Sequence, residues 1–307
     1  MDAVLTLIAA TPDLAFPAIA AAVAAKVGAA APVWLAEQQA CDLFVADEPA
    51  AVERAARGIV GGAPIDVVCQ PSAGRKKQLL VADLEATIIE NEMLEELADG
   101  IGRRAEIAEI TRRAMNGEID FVAAVETRVA LLAGLPQSAL ADAADRIRLT
   151  SGAAALVATM RAHGAYTVLV SGGFDVFAEP VGKSLGFDRI VANRLALEDG
   201  RVRGIVPAPI VTGQQKYKAL LTATAERRIP PELTLAVGDG ANDSAMLAAA
   251  GLGIAYHAKP AVAAAARWRV DHADLHALLY AQGYAQAEFV PPPRNQSLSP
   301  PPQAGEG

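Results

Sequence analysis

Four short apolar runs constrain the fold of this 307-residue chain more than any other feature of its sequence. They cover residues 78–83, 166–171, 233–239 and 252–256, and segments with helical periodicity separate them. Continuous apolar strands that alternate with helices are typical of a parallel sheet covered on both faces, because such strands are buried on both sides. The pattern therefore predicts an α/β domain with a parallel sheet over residues 78–285.

A helix-rich span lies between the first and second runs, and it is too long for a simple crossover connection. Apolar residues in it recur at helical spacing, as at Met93, Leu94, Leu97 and Ile101. This periodicity predicts amphipathic helices. We expect a helical cap, at about residues 92–160, inserted after the first strand of the sheet.

Residues 1–72 show a different pattern, in which strand-like and helix-like runs follow one another in the order βαββαβ. The strand-like runs are 3–9, 33–37, 42–45 and 65–69, and the helix-like runs are 14–27 and 48–59. This order predicts a ferredoxin-like α+β domain, followed by a polar linker at 71–77. Domains of this kind often pair through sheets or helices, so a homodimer is one assembly that the sequence leaves open.

The last segment, residues 286–307, is rich in proline and poor in large apolar residues. Such a composition cannot bury a core, so we expect a disordered tail with local polyproline II structure. A ligand for a proline-recognition domain is the alternative interpretation.

Charge and apolar patterning exclude several classes of partner. The net charge of −8 argues against general binding to nucleic acid, which requires a basic surface. Asp13 and Lys26 interrupt the apolar N-terminal stretch, which leaves it too short to span a bilayer. Cys41 and Cys69 form no CxxC pair, so they are either free thiols or partners in one disulfide. We expect a cytoplasmic protein with no membrane partner.

Polar side chains of catalytic type stand at the ends of three of the four apolar runs. These residues are Asp83, Ser171 and Asp239. In open parallel sheets, ligands bind beyond the carboxyl ends of the strands. We therefore expect the three side chains to converge on one crevice.

The first of these ends carries two carboxylates that differ in what they can do. Alternation along an extended segment puts Asp83 and Glu85 on the same side. One carboxylate can act as nucleophile and metal ligand, and the other as proton donor and acceptor. A structural helix cap formed with Thr87 is the alternative.

Three further segments add groups that suit phosphate and metal. The glycine-rich turn at 171–174 brings backbone N–H groups and a hydroxyl close to an anion, and Lys216 can neutralise a phosphoryl oxygen. The acidic turn at 238–243 offers oxygen ligands of the type that Mg²⁺ prefers. Ordinary turns, and a solvated lysine with Lys218 as competitor, are the alternatives. Together the groups favour phosphoryl transfer through an aspartyl phosphate, and the sequence contains no Walker A pattern.

The order of these motifs resembles that of the haloacid dehalogenase superfamily and, within it, the phosphoserine phosphatases. The matching segments are Asp83-x-Glu-x-Thr87, Val170-Ser-Gly-Gly-Phe174, Lys216 and Val237-Gly-Asp-Gly-Ala-Asn-Asp243, with further likeness at 192–195 and 251–260. The resemblance covers about residues 78–280. It implies a Rossmann-like parallel sheet with a helical cap, and an ACT-type regulatory module in front of it.

The resemblance also implies an activity, which is Mg²⁺-dependent hydrolysis of O-phospho-L-serine to L-serine and phosphate in serine biosynthesis. Asp83 would be the nucleophile, and Glu85 the proton donor and acceptor. Mg²⁺ would lie between Asp83, the backbone carbonyl of Glu85, Asp239 and the phosphate, with Asp243 supporting the ligands. The residues that would bind substrate are Glu92, Phe121, Arg128, Ser171, Gly172, Lys216 and Asn242.

The substrate would be zwitterionic, because the implied pocket holds one extra cation and one extra anion. Arg128 would pair with the substrate carboxylate, where a bidentate guanidinium fits. Glu92 would face the substrate ammonium. These two positions favour an amino acid phosphate over a sugar phosphate.

Glu85 departs from the family pattern, which usually has Asp at this position. Glutamate has the same chemistry and a similar pKa, but its extra methylene displaces the carboxylate, and misplacement can cost about 10²-fold in rate. Two alternatives therefore stand beside hydrolysis. One is phosphoryl transfer from phosphoserine to another hydroxyl acceptor, and the other is an amino-acid-sensing regulator without catalysis.

Overall fold

A computed structural model describes residues 3–291 of the chain. Its N-terminal part is a four-stranded antiparallel sheet with the strand order β2-β3-β1-β4. The elements are β1 (Ala3–Ala9), α1 (Phe16–Val27), β2 (Val33–Ala36), β3 (Ala40–Val45), α2 (Pro49–Val60) and β4 (Ile65–Pro71). This is the predicted βαββαβ order, and the ferredoxin-like topology is confirmed. The likeness to ACT-type modules stays a prediction.

Both faces of this small sheet are buried, which explains why β1 has no polar face. Leu5 and Leu7 of β1 pack in one cluster with α1 and α2, whereas Ile8 packs in the core of the second part. Successive side chains of a strand point to opposite faces, so a strand between two cores is apolar at nearly every position. Cys41 and Cys69 are both buried free thiols, and burial raises the pKa of each to about 12.

The second part contains a six-stranded parallel sheet with the strand order β12-β11-β10-β5-β6-β7. The strands of this part are β5 (Leu79–Ala82), β6 (Tyr166–Phe174), β7 (Arg189–Asn193), the hairpin β8 (Leu197–Glu198) and β9 (Arg201–Val202), β10 (Thr234–Gly238), β11 (Leu252–Tyr256) and β12 (Trp268–Val270). The four predicted apolar runs are the four inner strands, β11, β10, β5 and β6. The edge strands β7 and β12 were not predicted, because β7 is only half-buried and β12 has three residues.

Helices cover both faces of this sheet, and several of them form the insertion between β5 and β6. The helices are α3 (Met93–Asp99), α4 (Arg104–Met115), α5 (Phe121–Ala130), α6 (Gln137–Ala144), α7 (Ala153–Ala162), α8 (Asp175–Leu185), α9 (Gly213–Arg227), α10 (Ser244–Ala249), α11 (Pro260–Ala265) and α12 (Ala277–Ala281). The predicted fold class, a parallel sheet with a helical insertion after its first strand, is confirmed.

The two parts of the chain are joined by buried hydrogen bonds as well as by apolar contact. Gln70 Nε2 donates to the carbonyl of Ala281 at 2.7 Å, and Trp268 Nε1 donates to the carbonyl of Cys69 at 2.7 Å. Arg75, in the predicted linker, forms an ion pair with Asp42 at 2.6 Å. The linker is therefore anchored to the sheet that precedes it.

The prediction of a disordered tail at 286–307 is wrong for its first residues. Gln286–Glu288 form a 3₁₀ turn, and the Phe289 ring stacks on His276 with 5.4 Å between ring centroids. The backbone N–H of Val290 donates to Thr159 Oγ1 at 2.9 Å. Phe289 supplies the apolar contact that the composition of the segment as a whole concealed. The rest of that prediction, residues 292–307, lies outside the described residues.

No helix within residues 3–291 combines the length and the apolar character that crossing a bilayer requires.

Candidate active site

Asp83 lies immediately after β5, in the middle of the parallel sheet. Its backbone N–H donates to the carbonyl of Val237, which continues the pairing with β10 by one residue. A single π-type turn, Leu84–Ile88, follows, and Ala86 in it has a φ of 52°. Asp83 Oδ1 accepts the N–H of Leu84 at 2.8 Å, so the side chain also caps this turn. A cap therefore exists at this turn. Asp83 makes it by accepting the N–H of Leu84, and Thr87 is not its partner.

Lys216, on α9, is fully buried beneath Asp83. Its Nζ lies 2.6 Å from Asp83 Oδ1 and 2.8 Å from Asp243 Oδ1. Burial would lower the pKa of Lys216, but the carboxylates of Asp243 and Asp83 outweigh burial and raise it. The interpretation of this lysine as a solvated surface charge is wrong.

Three buried carboxylates, those of Asp83, Asp239 and Asp243, each place an oxygen within 4.8 Å of the others. Asp239 follows β10, and burial raises its pKa to about 6. Asp243 is fully committed within the protein, because its second oxygen, Oδ2, accepts the N–H of Gly240 at 3.1 Å. Asp83 and Asp239 are therefore the residues of this cluster with oxygen atoms to offer to a ligand.

These residues fit a divalent cation that prefers oxygen ligands. Within residues 3–291, Asn242 Oδ1 is buried without a hydrogen-bond partner, and Asp239 Oδ2 has a charged neighbour, Lys259 Nζ, at 3.2 Å. Buried polar atoms are normally satisfied, so the Asn242 oxygen points to a site that binds something polar. The chemistry of the donors, carboxylate and amide oxygens, is that of a hard cation.

Glu85 reaches into the same cleft from the π-type turn. Its Oε1 accepts the backbone N–H of Met93, the first residue of α3, at 2.9 Å. Burial raises the pKa of Glu85, and the Met93 N–H together with the charge of Arg128 offsets part of that rise. A raised pKa suits a carboxyl group that donates a proton to a leaving oxygen.

The segment 171–174 is the end of β6 and not the predicted turn. Its pairing with β7 is irregular between Val170 and Phe174, and Ser171 Oγ accepts the N–H of Gly173 at 2.8 Å. Asn193, at the end of β7, donates to the carbonyl of Gly172 at 2.7 Å and accepts the N–H of Val211 at 2.7 Å. Asn193 thus holds the glycine segment in place.

Arg128, on α5, contributes a buried positive charge to the cleft. Its Nη1 donates to Thr111 Oγ1 at 2.9 Å and its Nε to the carbonyl of Ala124 at 3.2 Å. Among residues 3–291, no carboxylate lies within 4.0 Å of its guanidinium nitrogens. Burial lowers the pKa of Arg128. A buried guanidinium without a carboxylate partner is suited to binding an anionic ligand.

Glu92 contributes a carboxyl group to the same cleft as Arg128. Burial, together with the charges of Glu85 and Asp239, raises the pKa of Glu92 well above its usual range. A cationic group of a ligand next to Glu92 would restore the carboxylate form, because it supplies the missing opposite charge.

The structure brings most of the predicted site residues to one cleft. The predicted residues that line it are Asp83, Glu85, Glu92, Phe121, Arg128, Gly172, Asp239 and Asn242. Lys216 and Asp243 lie behind Asp83, and Ser171 is fully buried.

Several residues of the cleft and its surroundings are not among the predicted site residues. Leu94, Met115 and Gly173 line it, and Lys259 forms an ion pair with Asp239. Asn193 and Lys259 lie in the segments 192–195 and 251–260, and the likeness of these segments to the family pattern is the signal that could have found them.

Gly173→Ala is expected to lower kcat by about 10- to 100-fold with little change in stability. A Cβ at this position would stand 2.6 Å from Glu85 Oε2 and 2.9 Å from Glu85 Cδ, so the carboxylate must move. Displacement of a catalytic group by an ångström has an effect of this size. Steady-state kinetics and a thermal melt check it, with Gly62→Ala, which meets no atom within 4 Å, as the control. An unchanged kcat would contradict the placement of Glu85 in catalysis.

The parallel sheet, the helical insertion after its first strand and the acidic cluster at its carboxyl edge define an α/β protein with a Rossmann-like core. The sequence model of haloacid dehalogenase-like hydrolases matches residues 80–248, more than half of the chain, and the chain belongs to this family.

The chain is similar to named relatives of this family. It is 41% identical over 217 residues to phosphoserine phosphatase SerB2 of Mycobacterium tuberculosis, which covers 71% of this chain and 53% of the relative. The chain thus spans little more than half the length of that curated relative.

Two solved structures resemble the chain in three dimensions. A substrate-bound phosphoserine phosphatase has a TM-score of 0.64 and 35% identity, covering 66% of this chain and 97% of that one. A haloacid dehalogenase family hydrolase of Salmonella enterica serovar Typhi has a TM-score of 0.81 and 25% identity, covering 92% and 98%. The second likeness includes the N-terminal part as well as the sheet and cap.

Proposed function

We propose that the protein hydrolyses O-phospho-L-serine to L-serine and phosphate. The observation that carries this proposal is the buried Arg128, which has no carboxylate partner within residues 3–291 and lines the same cleft as Glu92 and Asp83. A ligand with a phosphate for Asp83, a carboxylate for Arg128 and an ammonium for Glu92 matches all three groups. The names of the relatives support the same substrate.

In the first step, Asp83 would attack phosphorus. Lys216 and the N–H of Leu84 both contact Oδ1, so Oδ2 is the oxygen that would form the new bond to phosphorus. The bond between phosphorus and the serine oxygen breaks as that bond forms. Glu85, whose raised pKa favours the protonated form, would give its proton to the leaving oxygen.

In the second step, water would release the phosphate. Glu85, now a carboxylate held by the N–H of Met93, would take a proton from a water molecule as the oxygen of that water bonds to phosphorus. The bond from phosphorus to Asp83 Oδ2 breaks, and the aspartate and the proton-bearing Glu85 are regenerated. The ring of Phe121 lies against Gly172, since a Cβ added there would stand only 2.8 Å from its Cζ atom. This ring helps to exclude other water from the cleft.

Asp83, Asp239 and the backbone carbonyl of Glu85 would hold Mg²⁺, with Asp243 fixing Lys216 behind them. When bound, the metal supplies positive charge next to the phosphoryl oxygens. Ser171, the N–H of Gly172 and Asn242 would hold phosphoryl oxygens from the β6 and β10 sides. Lys216, already between two carboxylates, would orient Asp83.

Phosphoryl transfer to another hydroxyl acceptor is the second candidate function, and Glu85 favours it. If its longer side chain activates water poorly, an alcohol that binds in the cleft would take the phosphoryl group instead.

The cytoplasmic location and the homodimer stay predictions from the sequence.

Phosphate release from L-phosphoserine tests the proposal, with Mg²⁺ and with EDTA, beside phosphothreonine, a sugar phosphate and an aromatic phosphate ester. We expect turnover that requires the metal and is selective for phosphoserine. Arg128→Met should lower kcat/KM for phosphoserine by about 10²-fold while the aromatic ester is nearly unaffected, because only phosphoserine carries a carboxylate.

The matched control is Arg148→Met, since Arg148 is an exposed arginine paired with Glu90 outside the cleft. Equal losses for both substrates in Arg128→Met would contradict the assignment of Arg128. Release of phosphate only when an acceptor alcohol is added would establish the phosphotransferase instead.

A further inference from the structure

Lys259 lies just beyond β11 and contacts Asp239 through both its backbone and its side chain. Its backbone N–H donates to the carbonyl of Asp239 at 2.9 Å, and its Nζ stands 3.2 Å from Asp239 Oδ2. The second contact is an ion pair between a partly exposed ammonium group and a buried carboxylate. One third of the side chain is exposed, so Lys259 stands at the edge of the acidic cluster.

Lys259 changes the charge that a phosphate group meets. Lys216 offsets one of the three clustered negative charges, and Lys259 offsets a second. The charges of a divalent cation and a phosphate dianion cancel, so the occupied cluster would carry one negative charge with Lys259 and two without it.

His257 fixes the backbone that leads to Lys259. It has a φ of 42°, and its N–H donates to the carbonyl of Val270 at 2.8 Å. Its Nε2 lies 2.8 Å from the carbonyl oxygen of Ala273. A carbonyl oxygen only accepts, so Nε2 carries the proton. The position of residues 257–259 therefore depends on where the loop at 270–273 stands.

Asp66, on β4 of the N-terminal part, holds that loop. Its buried carboxylate accepts the N–H groups of Asp271 at 2.7 Å, His272 at 3.2 Å and Ala273 at 2.8 Å. Backbone N–H groups donated to a carboxylate are strong and directional contacts. Hydrogen bonds thus link Asp66 to Ala273 and Ala273 to His257, and two peptide bonds lead from His257 to the residue that contacts Asp239.

We propose that Lys259 is a positioning residue of the active site, and that Asp66 of the N-terminal part holds it on Asp239 through His257. The inference rests on the proposed function for its effect on turnover, but its effect on metal binding does not depend on the substrate. It gives the N-terminal part a direct influence on the site.

Lys259→Met provides the first test, with calorimetric titration of Mg²⁺ as a readout separate from activity. Removing a positive charge beside the cluster should tighten Mg²⁺ binding by about 3- to 10-fold and weaken inhibition by inorganic phosphate by about 10-fold. These opposite directions distinguish a charged positioning residue from a structural one, whose loss would weaken both. Weaker binding of both ions would overturn the proposal.

Asp66→Asn provides the second test, because it keeps the size of the side chain but replaces one acceptor with a donor. We expect the same two shifts at about half the logarithmic size, and no further shift when Asp66→Asn is added to Lys259→Met. His257→Leu, which removes the donor to the carbonyl of Ala273, should produce the same two shifts. If Asp66→Asn shifts Mg²⁺ binding equally in both backgrounds, the path through Lys259 is wrong.

Gln70→Leu is the matched control, since Gln70 is equally buried and makes a hydrogen bond between the same two parts of the chain away from this path. It should lower the melting temperature while Mg²⁺ affinity stays unchanged. A shift in Mg²⁺ affinity as large as that of Asp66→Asn would contradict the proposal. Mg²⁺ binding without phosphoserine turnover in the unchanged chain would instead count against the proposed function alone.

Discussion

Asp83→Asn is expected to abolish phosphate release, with a fall in kcat of about 10⁴-fold or more. The amide is not a nucleophile toward phosphorus, and loss of a nucleophile removes the covalent route altogether. The amide oxygen can still accept the N–H of Leu84, so the turn after β5 should persist. Single-turnover measurements with phosphoserine should therefore show neither a burst of serine nor a phosphorylated protein.

Asp120→Asn is the matched control for this prediction, because Asp120 caps α5 on the surface of the insertion and lies outside the cleft. It should retain nearly full activity. Full activity in Asp83→Asn would refute the covalent mechanism.

Lys216→Met is expected to lower the free energy of unfolding by about 3–5 kcal/mol in the absence of metal. The substitution leaves Asp83 and Asp243 buried without their shared cation, and breaking a buried pair in this way is strongly destabilising. Denaturant titration in EDTA measures the loss. Added Mg²⁺ should restore part of it, because an ion that binds the folded state stabilises that state.

The loss of stability in Lys216→Met should also depend on pH, and its direction follows from the pKa of Asp83. Burial and the charge of Asp243 raise the pKa of Asp83, so the folded state binds a proton more readily than the unfolded chain. Stability of the variant should therefore fall as pH rises above the pKa of the unfolded aspartate, and the loss should be smaller at pH 5 than at pH 8.

Lys183→Met is the matched control, since Lys183 forms an exposed ion pair with Glu179. Surface pairs of this kind contribute less than about 1 kcal/mol. A loss in Lys216→Met no larger than that of Lys183→Met would show that the buried pair contributes little to folding.

Much of the central sheet could be predicted because its inner strands are buried on both faces. β5, β6, β10 and β11 are apolar at nearly every position, and this signal survives without tertiary information. The edge strands lacked it. β7 is only half-buried, and β12 has only three residues.

Residues 286–290 show where reasoning from composition failed, and Lys216 shows a site residue that the motif order indicated but the residue type alone did not. A lone lysine on a helix is usually solvated, and only the convergence of α9 with Asp83 and Asp243 buries it. Phe289 and Val290 sit in a segment whose overall composition is that of a tail, yet both find partners on α7 and next to α12. Thr159, the partner of Val290, lies 131 residues away in the sequence.

The sequence by itself determined the parallel sheet, the insertion and the placement of Asp83 and Asp239 at strand ends, because periodicity and strand polarity are local properties. Only the tertiary structure decided that Glu85 would be held by the N–H of Met93 and that Asp66 would contact the loop next to β12. Hydrogen bonds between distant segments depend on how separate elements pack. Local patterns in a single sequence do not indicate that packing.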